Sequence, residues 1–289
     1  MCRTYGDENY RRGHAGSFTT AQLQRIARIF FNRALHITFG CIAEPTLHKD
    51  LPGLVNLAKK HKIPFVSVVT NGQLLTEKTL YGLLANHLDE LILSIHGVNK
   101  KSYERFMVGA SYEKLHTLFC TIANLQRQGV FTTCKLRLNY VLNSENLEEL
   151  GSFFEVFGKY KFDILQIRPM IACNFLDTGD ISYKPGYATI FDVIKRECRQ
   201  RNILLLAEEK KIAERNETYF FRILPAIYRY ISPGEVWNKD FNWQTETYTQ
   251  YCRKKRYSKF LLKAIFSNNE DLIHFDNPEF HHSLKYSVM

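Results

Sequence analysis

Between residue 19 and about residue 206, helix-like and strand-like stretches alternate with short connections, and the strands share one parity. Such alternation restricts the chain to parallel βα units, because each parallel strand pair needs a crossover that a helix supplies. Candidate strands fall at 35–40, 65–70, 90–95, 134–142 and 163–169. Successive strand residues point to opposite faces. One face therefore carries His36 and Thr38, Ser67 and Asn71, Ser94 and His96, Arg137 and Asn139, and Gln166 and Arg168. The other face of each strand is mostly apolar. Polar groups near the C-terminal ends of consecutive parallel strands are how barrels of this general kind build a site. A closed barrel filled by side chains would want an apolar interior, so an open or partial barrel holding a polar ligand is predicted.

The helices announce themselves through caps and apolar spacing. Asp50 is placed to cap a helix with Leu51, Leu54, Val55 and Ala58 on its apolar stripe. Thr76 opens another. Ser111 precedes Leu115, Leu118, Phe119, Ile122 and Leu125, a run that stops at Gly129. Leu147, Leu150, Phe154 and Phe157 mark one more. After about residue 207 the chain turns rich in Tyr, Phe and charge, with helical stretches expected near 208–231 and 246–267 and Pro233-Gly234 between them. The expected division is an α/β unit over 1–206 and a mostly helical C-terminal extension over 207–289. Trp237 and Trp243 of that extension are expected to pack it rather than to form a lid.

A formal net charge of +10 on 289 residues is concentrated in the first sixty or so, at Arg3, Arg11, Arg12, Arg25, Arg28 and Arg33 among others. Surface charge without a specific partner is the simplest reading. An anionic substrate or nucleic acid is the other one. The run Arg253-Lys254-Lys255-Arg256 reads as a solvated helix face. Seven cysteines, at 2, 41, 120, 134, 173, 198 and 252, lack disulfide-like spacing, and no export signal precedes them. Reduced thiols in a cytoplasm are expected. No apolar run approaches membrane-spanning length.

Four motifs follow one another in order, the first three at strand ends. Thr38-Phe39-Gly40-Cys41-Ile42-Ala43-Glu44-Pro45-Thr46-Leu47-His48-Lys49-Asp50-Leu51 is a strand end, a turn and a helix start. Val69-Thr70-Asn71-Gly72 follows, then Leu91-Ile92-Leu93-Ser94-Ile95-His96-Gly97, then Ser102-Tyr103-Glu104-Arg105-Phe106 leading to Gly109-Ala110-Ser111. In this order and spacing, over residues 1 to about 170, they resemble the radical S-adenosylmethionine (radical SAM) enzymes. That family shows a Gly-Gly-Glu-Pro turn, then "T-N-G", "S-x-D-G" and "Y-E-x-x-R/M".

The resemblance implies a partial (βα)6-type barrel lacking its first strand. It also implies a [4Fe–4S] cluster held by a C-x3-C-x2-C loop, with S-adenosylmethionine on its open iron. The cluster's electron would cleave the sulfonium, and the 5′-deoxyadenosyl radical would abstract hydrogen from substrate. Cys2 matches the last cysteine of that loop; its two partners would fall three and seven residues earlier. With one of three thiols, this polypeptide is expected to hold no stable cluster and to be inactive, unlike its full-length form. By position, Glu44 and Pro45 would contact the methionine part, although Ile42 and Ala43 stand where the family prefers glycine. Ser94 and Asn139 would face the ribose or the carboxylate. Asn71 would either contact the cofactor or close its turn. Arg168 and Arg137 would recognise carboxylate or form internal ion pairs. His36 and Gln166 are expected to be core hydrogen-bonding residues, and His96 replaces the family's aspartate. The substrate is expected to be a peptide, a small metabolite or a nucleotide, and the reductant a protein such as flavodoxin or ferredoxin. Two other classes stay open: a non-catalytic barrel remnant serving as a binding or scaffold module, and a nucleic-acid-binding or modifying protein.

Overall fold

The structure, a computed structural model, describes residues 16–40, 43–169, 185–207, 231–233, 235–236, 240–259 and 262. These residues fall into two compact units, one spanning 33–207 and the other joining 16–32 to the residues from 231 onward. The expected helix near 208–231 lies outside the described residues, as do Cys2, Cys41, Ile42, Cys173 and Trp237.

The first unit is built on one six-stranded sheet: β1 (His36–Phe39), β2 (Phe65–Thr70), β3 (Glu90–Ile95), β4 (Lys135–Leu142), β5 (Ile164–Pro169) and β6 (Leu204–Ala207). The strands lie side by side in sequence order. Every neighbouring pair is parallel. The open parallel architecture expected from the alternation is what forms. β1 and β6 are its two edges among the described residues.

The parity argument is visible in the packing. Val66, Val68, Leu91, Leu93, Ile95, Leu136, Leu138, Tyr140, Leu165 and Ile167 lie on the apolar face, each no more than 1% exposed. Full burial of such a side chain contributes about 1.5–3 kcal/mol, so this face dominates the unit's stability. The layer over it is helical. α2 (Leu51–Lys60) buries Leu51, Val55 and Ala58, and α3 (Glu77–Ala85) buries Leu80 and Leu83. After α4 (Lys100–Phe106), α5 (Tyr112–Arg127) buries the whole expected stripe: Leu115, Leu118, Phe119, Ile122 and Leu125. Caps start these helices where their residue types demand: Asp50 accepts from Gly53 N–H, Thr76 from Thr79 N–H and Ser111 from Lys114 N–H. Gly129, with φ +73°, supplies the left-handed residue that ends α5.

Short helices α6 (Leu147–Leu150) and α7 (Phe153–Phe157) follow β4. α8 (Tyr187–Gln200) precedes β6 and buries Phe191, Ile194 and Cys198. α8 and β6 have no counterpart among the elements expected from sequence. The cap position of α8 is Gly186, which has no side chain to signal a start, and β6 is a continuous apolar run without alternation.

Carboxylates also fasten the N-terminal ends of the strands. Asp89, immediately before β3, accepts from Val66 N–H of β2 at 2.6 Å and pairs with Lys59 at 2.5 Å. Asp163, immediately before β5, accepts from Leu136 N–H of β4 at 2.8 Å. Each satisfies a strand-end donor that the ladder leaves over.

In the second unit, α1 (Thr20–Phe30) begins with a reciprocal capping box between Thr19 and Gln22. Phe30 packs edge-on against Phe241 and Tyr248, Phe18 against Trp243, and Arg25 Nε donates to Trp243 O at 2.7 Å. A two-residue antiparallel pair, β7 (Ile231–Ser232) with β8 (Glu235–Val236), and α9 (Tyr248–Lys254) complete the described part. Of the basic run, Lys255 pairs with Asp240 and Lys254 with Glu246.

Burial sets very different costs for truncating a leucine of β4 and one just before β1. Leu138→Ala, at 0% exposure, should lower unfolding free energy by about 2–5 kcal/mol. Leu35→Ala, at 78% exposure, should stay within about 0.5 kcal/mol. Urea denaturation of the two variants checks this.

Candidate functional site

The polar face gathers its groups in rows set by strand register. The lowest row holds Thr38, Ser67 and Glu90, and Arg137 stands one row above it, with register partners Ile92 and Ile164. Above Arg137 run Ser94, Asn139 and Gln166, and above these Val141 and Arg168. Rows further along the strands lie nearer the C-terminal ends, where the connecting loops begin.

The two lowest rows are internally satisfied. Arg137 holds Glu90 in a forked pair, with Nη2 at 2.7 and 2.8 Å from the two carboxylate oxygens and Nε at 3.0 Å from Oε1. Its remaining Nη1 donates to Gln166 Oε1 at 3.2 Å. Glu90 is 1% exposed, so this is a buried charge pair. Of the two roles open to Arg137, the geometry realises the internal ion pair. Nearer β1, His36 Nε2, Ser67 Oγ and Thr38 Oγ1 bond to one another at 2.9–3.2 Å. Burial, with the Arg137 charge nearby, lowers the His36 pKa.

At the C-terminal ends of β1 and β2 the controlling group is Glu44. Gly40 adopts φ +108°, and a Cβ there would lie 2.2 Å from Val69 O, so only glycine lets the β1 loop run this close to β2. The loop then carries Glu44 onto the end of β2. Its Oε1 accepts from Thr70 Oγ1 at 2.5 Å, Thr46 Oγ1 at 2.6 Å and Thr46 N at 3.2 Å. Its Oε2 accepts from Asn71 N at 2.9 Å. Pro45 opens the 3-10 turn Pro45–Leu47. The Asn71 side chain closes the following turn, Oδ1 accepting from Gln73 N at 2.9 Å. Gln73 in turn bridges Ser111 N, Ser111 O and Tyr103 OH.

A second carboxylate does the same at β3 and β4. Glu149 accepts from Val98 N, Asn99 Nδ2, Ser102 Oγ and Tyr140 OH at 2.6–3.2 Å. Asn146 donates to His96 O and Val141 O. His96 Nδ1 accepts from Val141 N–H at 3.4 Å, so its proton sits on Nε2. Burial lowers the His96 pKa to about 3, which keeps the ring neutral.

Among the expected contact residues, Ser94, Asn139 and Arg168 share this face, all partly exposed. Glu44, Pro45 and Asn71 meet at the neighbouring strand ends. Cys2, the expected iron ligand, lies outside the described residues, and among the described residues no group of three His, Cys, Asp or Glu side chains suits a metal ion. Three site features escaped sequence reasoning: Glu90, Thr70 and Glu149. Glu90 carried a signal, a carboxylate beginning a strand on the same parity as Ser94, and Thr70 lay within the Val69–Gly72 motif without a role assigned to it.

The Radical SAM superfamily model matches residues 1–156. A probable GTP 3′,8-cyclase of Saccharolobus islandicus is 25% identical over 149 residues, 50% of this chain and 45% of that protein. Its counterpart in Metallosphaera sedula is 24% identical over 174 residues, 59% of this chain and 51% of that protein. The chain thus spans about half the length of the curated relatives it matches. Among solved structures, Streptococcus suis SuiB bound to S-adenosylmethionine superposes with TM-score 0.51 at 18% identity, over 67% of this chain and 45% of that chain. Native anSMEcpe with bound AdoMet and a peptide gives TM-score 0.56 at 16% identity, over 89% of this chain and 78% of that chain. These likenesses establish the fold.

Two expectations test the electrostatics. Arg137→Met leaves the Glu90 carboxylate buried and unpaired and should cost about 3–5 kcal/mol, most of it recovered by adding Glu90→Leu; a denaturation double-mutant cycle measures both. His96 ionises in the unfolded chain near pH 6.5 but stays neutral in the fold. The unfolded state therefore binds more protons on acidification, and stability falls as pH drops below about 6.5. Between pH 7 and pH 5 this one group should account for at most about 2 kcal/mol, a slope that His96→Gln should reduce.

Proposed function

The chain belongs to the radical SAM superfamily, and on that premise we propose that its full-length form binds S-adenosylmethionine beside a [4Fe–4S] cluster and initiates hydrogen abstraction from a substrate. Superfamily membership implies both cofactors. When bound, they supply one-electron cleavage chemistry that no side chain can provide.

The observation that carries the reading is the row at Ser94, Asn139 and Gln166. Asn139 Oδ1 and Gln166 Nε2 are buried there without hydrogen-bond partners among the described residues. Native folds rarely leave such atoms unsatisfied, and a polar ligand against this face would satisfy them. Cys2 would supply one cluster thiolate. Ser94 and Asn139 would face the ribose or carboxylate, and the Arg168 guanidinium would suit a carboxylate. Glu44 holds its loop in place through four hydrogen bonds, and its Oε2, which accepts only from Asn71 among the described residues, has room for an ammonium donor. Asn71 positions the turn through backbone and side chain together.

Within this proposal the setting is cytoplasmic and the reductant a flavodoxin- or ferredoxin-like protein. A nucleotide, a peptide or a small metabolite serves as substrate, and the name of the curated relatives favours the nucleotide. No helix of the described residues is long and apolar enough to cross a membrane. The nucleic-acid reading is weaker, because Lys254 and Lys255 of the densest basic run are paired with acids.

Anaerobic reconstitution with iron and sulfide, followed by a one-electron reductant and S-adenosylmethionine, tests the proposal. The 289-residue chain should release no 5′-deoxyadenosine above a protein-free control. The same chain extended upstream by a segment with cysteines three and seven residues before Cys2 should release it, and Cys2→Ala should abolish that release. An extended chain that takes up no iron and binds no S-adenosylmethionine would instead be a scaffold or binding module.

A further inference from the structure

The middle row of the polar face contains a residue whose expected role was structural and whose geometry is not. Gln166 is fully buried. Its Oε1 accepts from Arg137 Nη1 at 3.2 Å, and the other guanidinium donors of Arg137 are anchored on Glu90. A guanidinium has donors only, so the amide atom facing it must be the oxygen. The Gln166 amide therefore cannot turn over, and its Nε2 points away from Arg137. That Nε2 is buried and has no hydrogen-bond partner among the described residues. Its register partner on β4, Asn139, has a buried Oδ1 in the same condition.

Two unsatisfied atoms of opposite polarity thus lie side by side, a donor on β5 and an acceptor on β4. Each costs about 1–3 kcal/mol when nothing occupies it. The rows below show what a purely structural solution looks like on this sheet: His36, Ser67 and Thr38 satisfy one another, as do Glu90 and Arg137. We propose that Gln166 is a ligand-binding residue, donating its amide N–H to a neutral acceptor on the molecule bound at this face, with Arg137 and Glu90 as its positioning residues. Asn139, whose amide no hydrogen bond orients among the described residues, can turn its oxygen or its nitrogen to the same ligand.

The charge balance selects the ligand chemistry. Glu90 offsets Arg137, so the pair beneath Gln166 is neutral. A carboxylate or phosphate has its cation one row higher, at Arg168, rather than beside Gln166. A neutral acceptor beside an N–H fits Gln166 Nε2 and the adjacent Asn139 amide: an amide, or the hydrogen-bonding edge of a nucleobase. Adenine of S-adenosylmethionine and the lactam edge of guanine both present that pair. The inference rests on reading this face as the S-adenosylmethionine site, and the test separates the two.

The measurement compares wild type with Gln166→Met, which keeps the volume and removes the donor, in two assays: urea denaturation without ligand, and equilibrium binding of S-adenosylmethionine and of GTP. A ligand-binding Gln166 predicts at least about tenfold weaker binding of one probe, which names the source of the edge, with the denaturation midpoint lowered by no more than the lost Arg137 hydrogen bond accounts for. Lost stability with unchanged affinities would make Gln166 structural and overturn the proposal. Unchanged affinity for both probes with unchanged stability, where wild type binds S-adenosylmethionine, would overturn the subsite alone. Binding of neither probe by the upstream-extended, iron-reconstituted protein, in which the same comparison is run, would remove the S-adenosylmethionine reading along with it. If Gln166→Met loses both stability and affinity, Asn139→Leu decides by the same criteria, since it removes the partner atom without touching Arg137.

Discussion

A strand has two faces, and in this sheet only one can be apolar. Val66, Leu91, Leu93, Leu136, Leu138 and Leu165 are fully buried on one side, and that side provides the burial that makes the unit fold. Once it is committed, most of the polar side chains the strands carry collect on the other, with Tyr140 and Thr70 turning their hydroxyls to the loops at the strand ends. His36, Ser67, Glu90, Ser94, Arg137, Asn139, Gln166 and Arg168 are together because the apolar residues are together. The binding face is thus a consequence of the core, and its register cannot slip by one residue without destroying both.

What holds the ends of the strands is a repeated use of single carboxylates. Asp89 and Asp163 take up leftover N–H groups at the N-terminal ends, while Glu44 and Glu149 collect four donors each at the C-terminal ends. The two pairs do different work. Asp89 and Asp163 bond a neighbouring strand, which fixes register. Glu44 and Glu149 bond loops, which fixes where the strand-end motifs sit relative to one another. Glu44 ties the β1 loop to Thr70 and Asn71, so two motifs separated by some twenty-five residues of sequence become one surface. A motif glutamate expected at a ligand thereby also acts as the fastening of its own loop.

The sheet was legible from sequence because burial imposes a period of two that survives in the residues themselves, and five strands were placed within about a residue of their ends. β6 was not, since Leu204–Ala207 has no polar partner residues to reveal a face. The membership of the polar face was legible too, but not its division of labour. Arg137 and Arg168 look alike in sequence, one position of a strand each; only Glu90, on the neighbouring β3, shows that Arg137 takes the ion-pair role. Gln166 and His36 carried the same expectation of core hydrogen bonding. His36 fulfils it with Ser67 and Thr38, whereas Gln166 spends only its oxygen. The difference lies in which neighbour reaches which atom, and no spacing rule encodes that.

His96 shows how such a local difference changes the chemistry of the face. Where the family has an aspartate, a carboxylate oxygen could accept the Val141 N–H, but it would bring a negative charge into a buried position beside the ends of β3 and β4. The imidazole accepts that N–H through Nδ1 and stays uncharged, its pKa lowered to about 3 by burial. The anchor to β4 is kept and the charge is removed. The proton then sits on Nε2, where an aspartate would carry acceptors only. The replacement therefore takes a negative charge away from the strand ends while leaving β3 tied to β4.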